Sequence, residues 1–309
     1  MGTTAAQTIK ELFGVGPSDA IQPRPRREGL PYPEAKEFVF EEARTLKMLR
    51  FFAGKASRNN LLLIGPAGAG KTAVVEQMAA RLNWPVWAVS CSGKVRASHW
   101  YGYFALQDGK TVWQDGPLTL AMRHGGIFLA DEITRLEPAE QMALVRVLDG
   151  GDVAIPETGE VIKPHKLFRF VATGNSGGFG DPTGSYAGER IASFAFVDRF
   201  LKFEVKYLDR ETEAALIKKL VPELPEGIIL AIVSLAERVR GASAANGAGG
   251  LRVNMSTRAC IAIAKEAYAY TTMGIKHPLS DALQDVVFAG APQEDVDACM
   301  TFLNEFIST

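Results

Sequence analysis

Residues 61–72 read Leu-Leu-Leu-Ile-Gly-Pro-Ala-Gly-Ala-Gly-Lys-Thr. The apolar run Leu61–Ile64 has the character of a buried strand. Gly65–Thr72 fits the G-x-x-x-x-G-K-[ST] pattern that joins a strand to a helix. Gly65, Gly68 and Gly70 allow backbone N–H groups to face an anion, and the helix that follows presents the positive end of its dipole. Lys71 has the reach to meet β- and γ-phosphates, and the Thr72 hydroxyl is placed to ligate Mg²⁺. Gly65, Pro66, Ala67, Gly68, Ala69, Gly70, Lys71 and Thr72 are therefore expected to bind a nucleoside triphosphate.

Outward from this loop, strands alternate with helices. Strands are expected at Leu61–Ile64, Val86–Ser90, Ile127–Ala130, Leu167–Thr173 and Phe200–Val205, with helices at Glu42–Ala53, after the loop to Leu82, near Leu118–Arg123 and at Pro138–Leu148. The alternation predicts an α/β fold, a parallel sheet with helices on both faces and its ligand at the carboxyl ends of the strands. After Leu208 the periodicity is helical throughout: Glu211–Leu220, Glu226–Arg238, Arg258–Thr271, Leu279–Val287 and Glu294–Phe306. The expected organisation is an arm at 1–36, a nucleotide-binding domain at 37–208 and a helical domain at 209–309. The arm carries five prolines between Pro17 and Pro33 with Arg24, Arg26 and Arg27 among them, and reads as an extended, solvated linker. Gly241–Gly250 reads as a loop.

Composition narrows the class. The 309 residues are 47% hydrophobic and 22% charged, with a net charge of −1. That balance is of an ordinary globular protein and gives no general attraction to nucleic acid or membrane. Cys91, Cys260 and Cys299 lie far apart with no metal-like spacing, which suits a reducing cytosol. No apolar stretch approaches membrane-spanning length and the first residues lack a leader pattern, so a cytoplasmic location is expected.

Asp131 and Glu132 end the strand Ile127–Ala130. Asp131 is placed to hold the Mg²⁺ shell and Glu132 to polarise a water for attack on the γ-phosphate. Asn175, at the tip of the next strand, suits either contact with that water or γ-phosphate, or a tight turn. Arg199 and Arg258 in isolation read as surface cations. Two hairpins are expected, one across Tyr103–Trp113 with Asp108-Gly109 as its turn and one across Val153–Ile162. Trp100, Tyr101 and Tyr103 at the first hairpin suit either gripping a polymer or packing on the core. His99, His124, His165 and His277 have no metal spacing.

The order of these signals resembles the AAA+ ATPases, in the MoxR and dynein-related branch. Tyr101–Arg135 is similar to that branch almost throughout, including Gly116-Pro117-Leu118 and the D-E-x-x-R of Asp131 to Arg135. A closer resemblance, to the ATPase subunits of aerobic cobaltochelatases, rests on Lys10–Gly14, Ala80–Pro85, Ile162–His165, Gly178–Tyr186 and Met255–Arg258. The resemblance implies Walker A at Lys71 and Thr72, and Walker B at Asp131 and Glu132. It makes Asn175 sensor 1, Arg199 an arginine finger acting on a neighbouring subunit, and Arg258 sensor 2. It also implies ATP and Mg²⁺ as ligands, a hexameric homo-oligomer, and a partner protein with a von Willebrand A domain. Cobalt insertion is a narrower implication. Two alternatives share the fold: a nucleic-acid-translocating motor, for which basic surface is sparse, and a GTP-driven motor.

Overall fold

Leu61, Leu62 and Leu63 are each at most 1% exposed, as a strand covered on both faces must be. The structure is a computed structural model that describes residues 6–180, 190–244 and 250–307. Its strands in chain order are β1 (Gln7–Thr8), β2 (Ala20–Ile21), β3 (Asn60–Ile64), β4 (Val86–Ser90), β5 (Gly102–Gln107), β6 (Lys110–Asp115), β7 (Ile127–Asp131), β8 (Val153–Ile155), β9 (Glu160–Ile162), β10 (Arg169–Gly174) and β11 (Leu201–Glu204). Five of them form one parallel sheet in the order β11-β3-β10-β7-β4. Ile64 pairs with both Gly174 and Glu204, and Ser90 with Asp131, so the carboxyl ends share one edge. At the other, amino-terminal end, Phe170 lies tilted on Phe128 and edge-on to Phe200 in the core.

The chain forms two units, Met1–Gly65 with Lys71–Val205, and Pro66–Gly70 with Lys206–Thr309. In the first, helices Glu42–Phe52, Lys71–Leu82 and Pro117–His124 accompany the sheet. The expected helix over 138–148 is two short ones, Pro138–Ala143 and Val145–Leu148. Both hairpins form, and the turn of the first places Asp108 at φ 51° and Gly109 at φ 74°. Two consecutive left-handed residues are what a type I′ hairpin turn requires. The aromatics at its base divide: Trp100 is buried against Phe128, whereas Tyr103 is 54% exposed.

The arm differs from a solvated linker. β1 and β2 pair, Thr8 caps the helix Ile9–Phe13, and Phe13 is buried edge-on against Phe40. Arg24 lies 4.4 Å over the Trp84 ring and donates to the Gly125 carbonyl at 2.8 Å. Arg27 donates to the His124 carbonyl, and Arg26 to Asn83 Oδ1 at 2.9 Å. The last carbonyls of the helix Pro117–His124 lack intrahelical donors. Arg27 supplies one at His124 and Arg24 another at the cap residue Gly125, so this proline-rich stretch is anchored by its arginines without a core of its own.

The second unit holds helices Arg210–Leu220, Glu226–Ala244, Thr257–Thr272, Pro278–Leu283 and Gln293–Ile307, with a π turn at Gln284–Phe288. Its core includes Ile217, Leu235, Ile263, Leu283 and Leu303. Glu213, 1% exposed, is paired bidentately with Arg240 at 2.8 and 2.9 Å. The helix from Glu226 continues past Gly241, where composition suggested a loop. Ser243 Oγ there donates to the Val253 carbonyl at 2.8 Å. The remainder of that expected loop, 245–249, lies outside the described residues, as does most of the Gly178–Tyr186 stretch. Among the described residues no helix is long and apolar enough to cross a membrane.

Candidate active site

At the carboxyl edge of the sheet, β3 ends at Ile64 and the chain enters the loop. Gly65 passes so close to β11 that a Cβ there would lie 1.9 Å from the Val205 carbonyl oxygen. Gly68, at φ 73°, adopts a left-handed conformation that side chains resist. The helix Lys71–Leu82 follows at once.

Lys71 is buried, and its ammonium donates to the Gly65 carbonyl at 2.8 Å and to Asn175 Oδ1 at 2.9 Å. The sheet register explains the second bond: Gly174 lies opposite Ile64, so Asn175 emerges beside the loop. Thr72 Oγ1 donates to Asp131 Oδ1 at 2.7 Å. Two hydrogen-bonded pairs, Lys71 with Asn175 and Thr72 with Asp131, thus cluster side by side at this edge.

Thr173, the last residue of the expected strand Leu167–Thr173, joins the cluster. Its hydroxyl donates to Asp131 Oδ1 and accepts from the Glu132 N–H at 2.9 Å. Glu132 itself sits at φ 59°, ψ 46°, the left-handed region. For a residue with a Cβ that conformation costs about 1–2 kcal/mol. The Glu132 carboxylate pairs with Arg135 Nη1 at 2.8 Å across one turn. The only sequence signal for Thr173 was a lone hydroxyl in the otherwise apolar Phe170–Gly174.

Cys91 borders this cluster, its N–H bonded to the Asp131 carbonyl at 2.8 Å. Burial, then the charges of Asp131 and Glu132, push its thiol up to about 12, so it is no nucleophile at neutral pH. Among the described residues no three His, Cys, Asp or Glu side chains group as a metal cage. The Thr72 hydroxyl and Asp131 carboxylate are instead two hard oxygen donors facing each other. Mg²⁺ at phosphate sites takes one or two protein oxygens of this kind and completes its shell with phosphate and water. The donor set fits.

Arg199 lies elsewhere. It precedes β11, whose Leu201 pairs with Leu61, and its carbonyl accepts from Asn60 Nδ2 at 3.0 Å. Asn60 begins β3 and the loop leaves from its other end, about 15 Å away at strand rise. Arg199 is therefore on the amino-terminal edge of the sheet, opposite the Lys71 cluster of its own chain. There its guanidinium is held by Asp149 at 2.7 and 3.1 Å. That hydrogen bond raises Arg199 above its ordinary value and lowers Asp149.

In the second unit, Arg258 opens the helix Thr257–Thr272, whose cap is Ser256 accepting from the Ala259 N–H at 3.2 Å. A Cβ on Gly68 would meet Ser256 Oγ at 2.5 Å and Arg258 Cβ at 3.8 Å. Arg258 thus stands next to Gly68 of the loop within that unit.

A family model described as an AAA domain of the dynein-related subfamily matches residues 60–200. The chain is 30% identical over 274 residues to the aerobic cobaltochelatase subunit CobS of a Sinorhizobium species, covering 85% of this chain and 80% of that one. It is 39% identical over 128 residues to protein NorQ of Paracoccus denitrificans, covering 41% and 47%. Among solved structures, a mutant of RuvB from Thermotoga maritima superposes with a TM-score of 0.55 over 82% of this chain and 73% of that one. At 17% identity that is a likeness of fold.

Proposed function

The chain belongs to the dynein-related subfamily of AAA domains, and we propose that its ATPase activity works in a homo-oligomeric ring that remodels a partner protein. The observation that carries this reading is the position of Arg199, at the sheet edge opposite the cluster of its own Lys71. A guanidinium placed there serves a neighbouring subunit, and a ring gives every subunit such a neighbour.

In this reading the backbone N–H groups of Gly65–Thr72 and the Lys71 ammonium bind the triphosphate. Thr72 and Asp131 hold Mg²⁺, which when bound neutralises phosphate charge. Glu132 accepts a proton from the attacking water as its oxygen bonds to the γ-phosphorus and the bridging P–O bond breaks. Asn175 and Arg258 steady the γ-phosphate, and Arg199 of the next subunit meets the charge of the transition state.

A hexamer, and a partner bearing a von Willebrand A domain, follow from the resemblance and are part of the proposal. A metal-chelation role, named for one relative, is its narrowest form. Three free cysteines support a cytoplasmic setting. The likeness to RuvB, being of fold, lends nothing to the nucleic-acid reading, and neither it nor the GTP-driven reading is favoured. The test is ATP and GTP hydrolysis at several protein concentrations, with the mass measured in each nucleotide state. Turnover that rises steeply with hexamer formation is expected. Concentration-independent turnover by a monomer overturns the ring.

A further inference from the structure

The helical unit includes Pro66–Gly70, and one of its side chains grips that backbone. The Tyr207 hydroxyl donates to the Ala67 carbonyl at 2.8 Å and accepts from Asn254 Nδ2 at 3.1 Å. A phenol has one proton. With Asn254 as donor to its oxygen, that proton is directed to Ala67.

The ring is fixed from above. The Arg240 guanidinium lies 4.2 Å over the Tyr207 ring, and Arg240 is itself held by buried Glu213 and by donation from Nε to the Met255 carbonyl at 2.6 Å. Tyr207 cannot swing aside without losing its stacking on a guanidinium that a buried ion pair holds in place.

A trans peptide is planar, with its C=O and the next N–H pointing in opposite directions. Holding the Ala67 carbonyl towards Tyr207 therefore aims the Gly68 N–H away from Tyr207. Glycine at 68 makes the opposite peptide orientation sterically cheap, and that orientation would present an oxygen to an anion in place of an N–H. A tether on the carbonyl removes the alternative.

We propose that Tyr207 is a positioning residue for the nucleotide, holding the Ala67–Gly68 peptide so that its N–H is available to phosphate. The inference rests on the nucleotide-hydrolysing reading. Because the N–H serves bound substrate and transition state alike, its loss weakens binding more than turnover.

The test is Tyr207→Phe, which keeps the ring and removes the proton. Binding of a fluorescent ATP analogue, KM and kcat for ATP, and the melting temperature are measured beside the unaltered chain. The expected result is a Kd and KM raised about 5- to 10-fold, the loss of one hydrogen bond, with kcat within about twofold. A purely structural role would lower the melting temperature and leave KM unmoved, and that outcome overturns the proposal. If Tyr207→Phe folds poorly, Asn254→Ala serves: it frees the phenol proton to turn from Ala67, and a KM rise of about twofold is expected. An unchanged KM there overturns the proposal equally. An unaltered chain that neither binds nor hydrolyses ATP would instead remove the nucleotide-hydrolysing reading itself.

Discussion

The Thr173 hydroxyl holds the backbone N–H of Glu132 at 2.9 Å while donating to the Asp131 carboxylate, so one side chain fixes both acidic residues. Glu132 is kept in a left-handed conformation that its own side chain disfavours. Thr173→Val preserves shape and removes both bonds. We expect kcat to fall about 10- to 100-fold with ATP affinity within about threefold, and a loss of about 1–3 kcal/mol in unfolding free energy from the unpaired N–H. Unchanged kcat in a folded variant would show that Thr173 does not set Glu132.

Glu132→Gln separates binding from chemistry. The amide keeps the size of the carboxylate but cannot take a proton from water. Turnover should drop at least about 100-fold while ATP binding, measured by calorimetry, stays within about threefold. Substantial turnover in this variant would assign the base elsewhere.

Arg199 gives a test by mixing. Arg199→Ala alone should reduce hydrolysis about 10³-fold or more, the scale of a lost arginine finger. Lys71→Ala alone should abolish nucleotide binding. Mixed together, the two should recover activity, since an intact Lys71 site then meets an intact Arg199 from the other chain. The absence of recovery at every ratio would exclude action between subunits.

His124 and His165 make the fold sensitive to acid. Both are held below the ordinary imidazole value, by burial first. Arg27 and Arg123 add to this at His124 against the opposing pull of Asp115, and Arg24, Arg27 and Lys166 at His165. Below the unfolded value of about 6.5 the unfolded chain binds protons that the folded chain refuses, so stability present above that pH is lost as pH falls. Denaturant midpoints at pH 7.5 and 5.5 should differ, the acidic one being lower, and His124→Gln combined with His165→Gln should shrink the difference. An equal difference in the double variant would place its origin in other groups.

What the sequence made legible follows from what spacing encodes. The loop Gly65–Thr72 was readable because phosphate binding needs particular residues at fixed intervals, and Asp131-Glu132 because two carboxylates end an apolar run. The hairpin turn at Asp108-Gly109 was readable because few pairs tolerate two positive φ angles. Thr173 was not, since its partners are a backbone N–H and a carboxylate 41 and 42 residues away. Arg24 and Arg27 misled for the same reason: nothing near them in sequence announces the carbonyls of Gly125 and His124 that they reach. Periodicity ended the helix from Glu226 too early, because Ser243 is fixed by a carbonyl ten residues on.

The anchored arm also determines where the molecule can be trimmed. A chain begun at residue 37 looks natural from the proline content, yet it would strip the Arg24 guanidinium from the Trp84 ring and the donors from the last carbonyls of the helix Pro117–His124. Those carbonyls would turn to water, and an indole face would become a site for self-association. Affinity tags, fluorescent fusions and protease sites belong ahead of Gln7, where β1 begins, because the residues from there to Pro33 are as much a part of the first unit as the sheet itself.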